Sequence, residues 1–208
     1  MRTVAVIPAR GGSKRLPRKN IHPVLGLPMV GWVIRACQQA QGVNQVYVST
    51  EDAEIADVAR QFEVVVIQRP TALAADEVLK QTVIVHAVEA LASQGHEADI
   101  VISVQPNSPE LTGAMLEEGL RKFSAHHLWE LFSVDPQLIQ NGAFRIMQRT
   151  TVFQKTLSAH CGVIIADCLD IHTLEDVAEV EARLMRRKRP LVQEPAGAGK
   201  VVRDSKGG

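Results

Sequence analysis

The sequence predicts an α/β domain in three layers, α/β/α, with a mostly parallel sheet between helices. Three observations predict it. Short β-branched runs alternate with segments of helical period along the first half of the chain. Those runs are apolar throughout instead of at every second residue, and a glycine-bearing, strongly basic loop follows the first of them. Such alternation builds right-handed βαβ units, and strands apolar on both faces belong between two helical layers.

Taken in order, strands are expected at Val4–Pro8, Gln45–Thr50, Glu63–Ile67 and Asp99–Gln105, with helices at Pro28–Ala40, Ala53–Gln61, Val78–Ser93 and Thr112–Phe123 between and after them. From Ser124 to Gln140 no period is visible, although His126, His127, Trp129 and Phe132 fall there. Regularity returns with Gly142–Met147, a strand at Gly162–Ala166 and a last helix near Thr173–Arg187. The domain is expected to span 1–189, with a small lobe around 110–150. From Pro190 the composition turns to Gly, Pro and charge, which predicts a disordered tail over 190–208. Within it, GAGK (Gly197–Lys200) lacks the spacing of a phosphate loop. The Arg186–Arg189 run before it reads as a solvated helix end.

The 208 residues suit one domain, and 46% hydrophobic with 22% charged residues supplies a core of ordinary size. Lys+Arg and Asp+Glu are both 23, so no general affinity for nucleic acid or another polyanion follows. Cys37, Cys161 and Cys168 have no paired spacing, which points to free thiols in a reducing compartment. No signal-peptide h-region and no membrane-length apolar run is visible, so a cytoplasmic protein without a membrane partner is expected.

The most informative stretch is Ile7–Ile21, IPARGGSKRLPRKNI. Five cations (Arg10, Lys14, Arg15, Arg18, Lys19) fall within ten residues beside Gly11 and Gly12. Glycines after a first strand let backbone N–H groups approach an anion, Arg offers a planar fork to phosphate and Lys a point charge. Open α/β sheets bind ligands at the carboxyl ends of their strands, where this loop falls. The GxGxxG spacing of dinucleotide sites is absent.

This loop resembles the opening signature of the acylneuraminate (CMP-sialic acid) cytidylyltransferase family. VSTEDAEIADVA (Val48–Ala59), RPTALAAD (Arg69–Asp76), DIVISVQPNSP (Asp99–Pro109), NGAFRI (Asn141–Ile146) and LDIHTLEDVAEVEARL (Leu169–Leu184) are similar to further family stretches, in order. The resemblance implies a nucleotidyltransferase (Rossmann-like) fold, a small dimerisation lobe, a homodimer, and transfer of CMP from CTP to an acidic sugar with release of pyrophosphate. It assigns Arg10 and Lys19 to the triphosphate, with Ala9, Gly11, Gly12, Ser13 and Lys14 completing the loop. It sets Asn20 and Arg69 near the nucleotide. Asp76 either joins them or caps the helix that follows. Gln105, Asn107, Ser108 and Asn141 are expected on the acceptor side, although Asn141-Gly142 is also a common turn. Asp170 resembles the first carboxylate of a metal-binding Asp-x-Asp pair for Mg²⁺, or Mn²⁺. His172 stands where the second would be, and imidazole suits softer ions than Mg²⁺. Arginine is missing at Glu110-Leu111. The segment from Pro109 to Asn141 is short, offering only Arg121, Lys122, His126 and His127 to an acceptor. Two other readings stay open: transfer to another acceptor such as a phosphonate or sugar phosphate, and a non-catalytic nucleotide-binding regulator.

Overall fold

The computed structural model describes residues 1–156 and 158–188. The chain runs β1 (Thr3–Pro8), a 3-10 turn (Lys19–Ile21), the short strands β2 (Pro23–Val24) and β3 (Leu27–Pro28), α1 (Met29–Gln39), β4 (Gln45–Thr50), α2 (Ala53–Gln61), β5 (Val65–Gln68), a second 3-10 turn (Thr71–Ala74) and α3 (Lys80–Ser93). It continues through β6 (Ile100–Val104), α4 (Gly113–Ala125), β7 (Glu130–Val134), β8 (Gln140–Gln148), α5 (Arg149–Val152), β9 (Cys161–Ile165) and α6 (Leu174–Lys188). Seven strands form one sheet in the order β5–β4–β1–β6–β8–β7–β9. β8 alone runs antiparallel to its neighbours β6 and β7.

The apolar strands are apolar because both their faces are covered. Ala5 and Ile7 of β1 pack with Val30, Val33 and Ile34 of α1, Ile55 of α2 and Leu116 of α4. Val4 and Val6 point the other way, into a cluster with Ile84, Val88 and Leu91 of α3 and Val152 of α5. The expected three layers are therefore present. A third cluster seats Val177, Val180 and Leu184 of α6 against Leu16, Val24 and Met29.

Local signals set most boundaries. Asp52 caps α2 by accepting from Ile55 N at 3.0 Å, and Thr112 caps α4 through Met115 N at 3.3 Å. At α6 the Thr173 hydroxyl accepts from Asp176 N, while the Asp176 carboxylate accepts from Thr173 N at 2.8 Å and His172 N at 2.7 Å, a reciprocal cap. Asp76 caps nothing: α3 starts at Lys80 after Leu79, with no side-chain cap. β5 starts two residues later than expected because Glu63 adopts φ 57°, a left-handed turn.

The segment 110–150, expected as a small lobe, is built into the domain instead. It supplies α4 and the strands β7 and β8, which extend the sheet beyond β6. Its lost periodicity has a local cause. β7 carries a buried Glu130 paired with Arg145 of β8, and a tight turn follows in which Asp135 Oδ1 accepts from Gln137 N and Ile139 N. Arg187, expected as part of a solvated helix end, is instead fixed: its guanidinium donates to the Asp167 and Glu110 carbonyls. The predicted tail over 190–208 and Arg189 lie outside the described residues. Cys37 and Cys168 are buried free thiols, each pushed up to about 12 by burial, and Cys161 is exposed and free.

Candidate active site

Strand order places the site. β4 and β5 extend the sheet to one side of β1, and β6 continues it on the other. The loops after β1 and β6 therefore splay apart at their carboxyl ends, the position where open α/β sheets take ligands. A cleft of about 320 Å³ opens there, lined by Arg10, Ser13, Lys19, Asn20, Arg69, Asp76, Gln105 and Asn107 among others. A second hollow of about 300 Å³ adjoins it over the basic loop, lined by Arg10, Ser13, Lys14, Arg15, Lys19, Asp76 and His172. Residues assembled from the sequence across more than 160 positions thus meet on one sheet edge.

The loop's cations are held in distinct ways. Asp76 takes Arg10 Nη1 at 2.7 Å and also pairs with Lys14. The Lys14 ammonium, then Arg10, holds the Asp76 carboxyl below its usual range. Lys19 Nζ donates to the Ile171 carbonyl at 3.1 Å. Burial pushes the Lys19 pKa down, with Asp170 opposing and Arg15 and Arg10 adding to it. Arg18 belongs to the scaffold: it grips Asp52 at 2.6 Å and 3.0 Å and Glu54 at 2.6 Å.

Gly11 has a different task from the one its sequence suggests. Its N–H donates to Glu51 Oε1 at 2.8 Å, and a Cβ there would collide with the Asp52 carboxylate. Gly12, by contrast, has open space where a Cβ would stand. Ala9 is fully buried and hydrogen bonds to Ser49 O. Asn20 is buried and lines the cleft; its Nδ2 donates to Arg10 O at 2.9 Å, and its buried Oδ1 has no partner among the described residues. Arg69 is 4% exposed, with its guanidinium on Glu51. Burial alone would raise the Glu51 pKa, but Arg69 and the Gly11 amide outweigh it and hold it low. Glu51 is thus the clasp between the basic loop and Arg69. The sequence marks it only as an acid at the carboxyl end of β4.

Across the cleft, Asp170 Oδ1 accepts from Gln105 Nε2 at 2.8 Å and from Asn107 Nδ2, and Asp170 Oδ2 lies 3.0 Å from His172 Nε2. His172 Nδ1 in turn meets Arg15 at 3.2 Å. Gln105 Oε1 accepts from Lys80 Nζ at 2.8 Å, a lysine that sequence reasoning missed because a cation at a helix start reads as solvated. Ser108 is buried and does not border the cleft. Both ends of the Asn141 amide are engaged, with Ser133 Oγ and Ala166 O, so in place of the expected turn it braces the irregular start of β8 beside Gly142. Arg121, Lys122, His126 and His127 lie at the far end of α4, next to the start of β7 and so at the opposite edge of the sheet. In the Glu110-Leu111 pair, where an arginine was missing, Glu110 instead gathers Arg183 at 2.9 Å and Arg187 at 3.1 Å and accepts from Leu169 N.

Among the described residues no group of three or more His, Cys, Asp or Glu side chains could hold a metal ion. Asp170 offers one carboxylate to an ion that would take its other ligands from a bound triphosphate, as Mg²⁺ commonly does, while the ring nitrogens of His172 face Asp170 and Arg15. No helix among the described residues is long and apolar enough to cross a membrane.

Comparison with known proteins agrees with this architecture. A family model described as cytidylyltransferase matches residues 4–126. Over 130 residues, 62% of this chain, it is 35% identical to N-acylneuraminate cytidylyltransferase A of Danio rerio, of which that stretch covers 29%. It is 33% identical over 134 residues to pseudaminic acid cytidylyltransferase of Campylobacter jejuni, covering 64% of this chain and 58% of that enzyme. The match thus spans less than two thirds of these relatives' own length. In fold it is similar to a CMP:2-keto-3-deoxy-manno-octonic acid synthetase solved with CTP, with TM-score 0.73 and 19% identity over 90% of this chain and 100% of that one. With the family model matching more than half of its length, from β1 through α4, the chain belongs to the cytidylyltransferase family.

Proposed function

We propose that this chain transfers CMP from CTP to an acidic sugar of the 2-keto type, releasing pyrophosphate. The observation that carries this is the convergence of Arg10, Lys19, Arg69 and Asn20, whose buried Oδ1 has no partner among the described residues, on one cleft opposite Asp170. In the reaction the acceptor hydroxyl oxygen bonds to the α-phosphorus and the bond from that phosphorus to its bridging oxygen breaks. Pyrophosphate leaves with the electron pair, and the hydroxyl proton passes to solvent. The protein's share is positioning and charge neutralisation. Arg10, Lys14 and Lys19 neutralise the triphosphate. Gln105 and Asn107 fix the Asp170 carboxylate, and Arg69, locked on Glu51, holds the nucleotide end of the cleft. Asp170 and His172 would hold Mg²⁺ or Mn²⁺, which supplies further positive charge to the phosphates.

The test is pyrophosphate release with CTP, UTP, GTP and ATP against a panel of acidic sugars. CTP alone should support turnover. Arg10→Ala should weaken CTP binding by about 1.5–3 kcal/mol, the worth of a hydrogen bond to a charged group, measured by calorimetry. CTP binding without release on any acceptor would mark a binding module and refute the transferase. The donor being an intracellular nucleotide, the activity belongs in the cytoplasm. We further propose a homodimer, supported by exposed apolar side chains at and beside the free edge of the sheet, Trp129, Phe153, Val163 and Ile165.

A further inference from the structure

Four cations border the main cleft: Arg10, Lys19, Arg69 and Lys80. Two are neutralised within the chain, Arg10 by Asp76 and Arg69 by Glu51. Lys19 and Lys80 have no ion pair among the described residues. They stand at opposite ends of one network: Lys19 donates to the Ile171 carbonyl, the neighbouring Asp170 takes Gln105 Nε2, and Gln105 Oε1 takes Lys80. Lys19 sits with the phosphate loop. Lys80, the first residue of α3, sits beyond Gln105, on the side away from that loop.

Three features prepare the Lys80 ammonium for an anion. It makes one hydrogen bond, to a neutral carboxamide, and keeps two N–H groups for another partner. The wall above it is lowered at Gly142, which has φ 70° and whose missing Cβ would lie 2.9 Å from Gln105 Oε1 and 3.8 Å from Lys80 Nζ. Lys80 also borders a smaller cavity of about 130 Å³, shared with Ser103, Gln140 and Arg145, so it stands on the ridge between two hollows. Crowding by protein lowers its pKa, Asp170 raises it and Arg145 lowers it further, so within the chain its charge is undercompensated. The basic side chains of the 121–127 segment stand at the other edge of the sheet and cannot serve here.

We propose that Lys80 binds the carboxylate of the acceptor sugar acid in the space between Gln105 and Gly142, and so sets the preference for an anionic acceptor. This rests on the reading of the chain as a CMP transferase. Lys80 would hold the acid on one side of Asp170 while Lys19 holds the triphosphate on the other, and Gln105, bonded to both Lys80 and Asp170, would keep the spacing between them.

The experiment uses the full chain with Lys80→Met and Lys80→Arg, and as probes an N-acylneuraminate, pseudaminic acid and 3-deoxy-manno-octulosonate, each also as its carboxamide. CTP affinity is read by calorimetry, and the acceptor KM by pyrophosphate release. Lys80→Met should raise the KM of the accepted sugar acid at least tenfold, the loss expected for one charge-assisted hydrogen bond, and leave CTP affinity within twofold. Lys80→Arg should recover part of the loss. The carboxamide should be as poor for the unchanged protein as the acid is for Lys80→Met, and no poorer for the variant. An unchanged acceptor KM in Lys80→Met overturns the assignment, as does a fall in CTP affinity with the acceptor KM unmoved, which would put Lys80 on the triphosphate. Turnover of the acids by the unchanged protein keeps the transferase reading intact in either case. A chain that binds CTP but none of the acids overturns both.

Discussion

Asp76 holds Arg10 at 2.7 Å and pairs with Lys14, so two of the cations meant for a triphosphate are already neutralised from within the chain. An arriving phosphate must displace that carboxylate or sit beside it. Both pairs are open to water, where an ion pair is weak and screened by salt. Asp76→Asn should therefore tighten the binding of inorganic tripolyphosphate by about two- to fivefold, and the gain should shrink at high salt as screening takes over. Calorimetry at two ionic strengths decides it. Weaker binding in the variant would instead place Asp76 among the groups that hold the nucleotide. Gly11 carries the complementary lesson. It reads as a glycine that admits a phosphate, yet its N–H belongs to Glu51 and its missing Cβ makes room for Asp52. A glycine's spacing in sequence does not say whether ligand or protein needs the room.

At the scale of elements, α6 depends on one buried acid. The Glu110 side chain is fully buried and meets Arg183 at 2.9 Å and Arg187 at 3.1 Å, and accepts from Leu169 N at 2.9 Å. It therefore fastens both α6 and the 167–172 stretch that carries Asp170 and His172. Glu110→Ala should cost about 3 kcal/mol, near the low end for breaking a buried pair because both arginines keep some water, and should lower CTP turnover by loosening Asp170. Urea unfolding and a pyrophosphate assay read the two effects, and a stability loss under 1 kcal/mol would refute the role. The strands legible in the sequence share one property, burial on both faces. β1 and β4 fall within a residue of their expected bounds because their apolar cores face helices on either side, and α2 matches its expected bounds because Asp52 caps a clean amphipathic period. β7 was illegible because Glu130 and Arg145 neutralise each other inside the sheet and Phe132 packs under that guanidinium, 5.2 Å from its carbon, so polar letters occupy core positions. In the site the same split holds. The loop cations stand together in sequence and were readable, whereas Glu51 and Lys80 acquire meaning only from partners 18 and 25 residues away, Arg69 and Gln105.

For the whole molecule, the free edge and the balance of charge each make a prediction. Among the described residues β9 ends the sheet, with Val163 44% and Ile165 55% exposed, and Trp129 packs edge-on against His160 just before it. An open apolar edge invites pairing. Sedimentation should show a dimer at micromolar concentration that Ile165→Lys converts to monomer; a monomer without the substitution refutes it. The acid limb of stability follows from the carboxylates. Arg18 and the α2 cap hold Asp52 low, and Arg69 with the Gly11 amide holds Glu51 low against its burial. At Asp176 burial acts upward, but the His172 and Thr173 amides prevail. Each folded value lies below the unfolded one, so each contributes stability that is complete above about pH 4–5, the ordinary carboxylate range, and is lost as pH falls through the lower folded values. The lysines act at the other limb. Lys19 and Lys80 have folded values below their ordinary one, so their charged forms weigh against folding at neutral pH, and that burden lifts as pH rises through the folded values toward about 10.4. Thermal unfolding followed across pH should therefore show Tm falling steeply below about pH 4. Asp52→Asn should flatten that fall by removing one of its contributors, at the cost of a lower Tm at pH 7. Tripolyphosphate, by supplying Lys19 with an anion, should raise Tm most at neutral pH and progressively less as the medium becomes alkaline and the lysine loses its proton. An equal shift across that alkaline range would separate Lys19 from the phosphate.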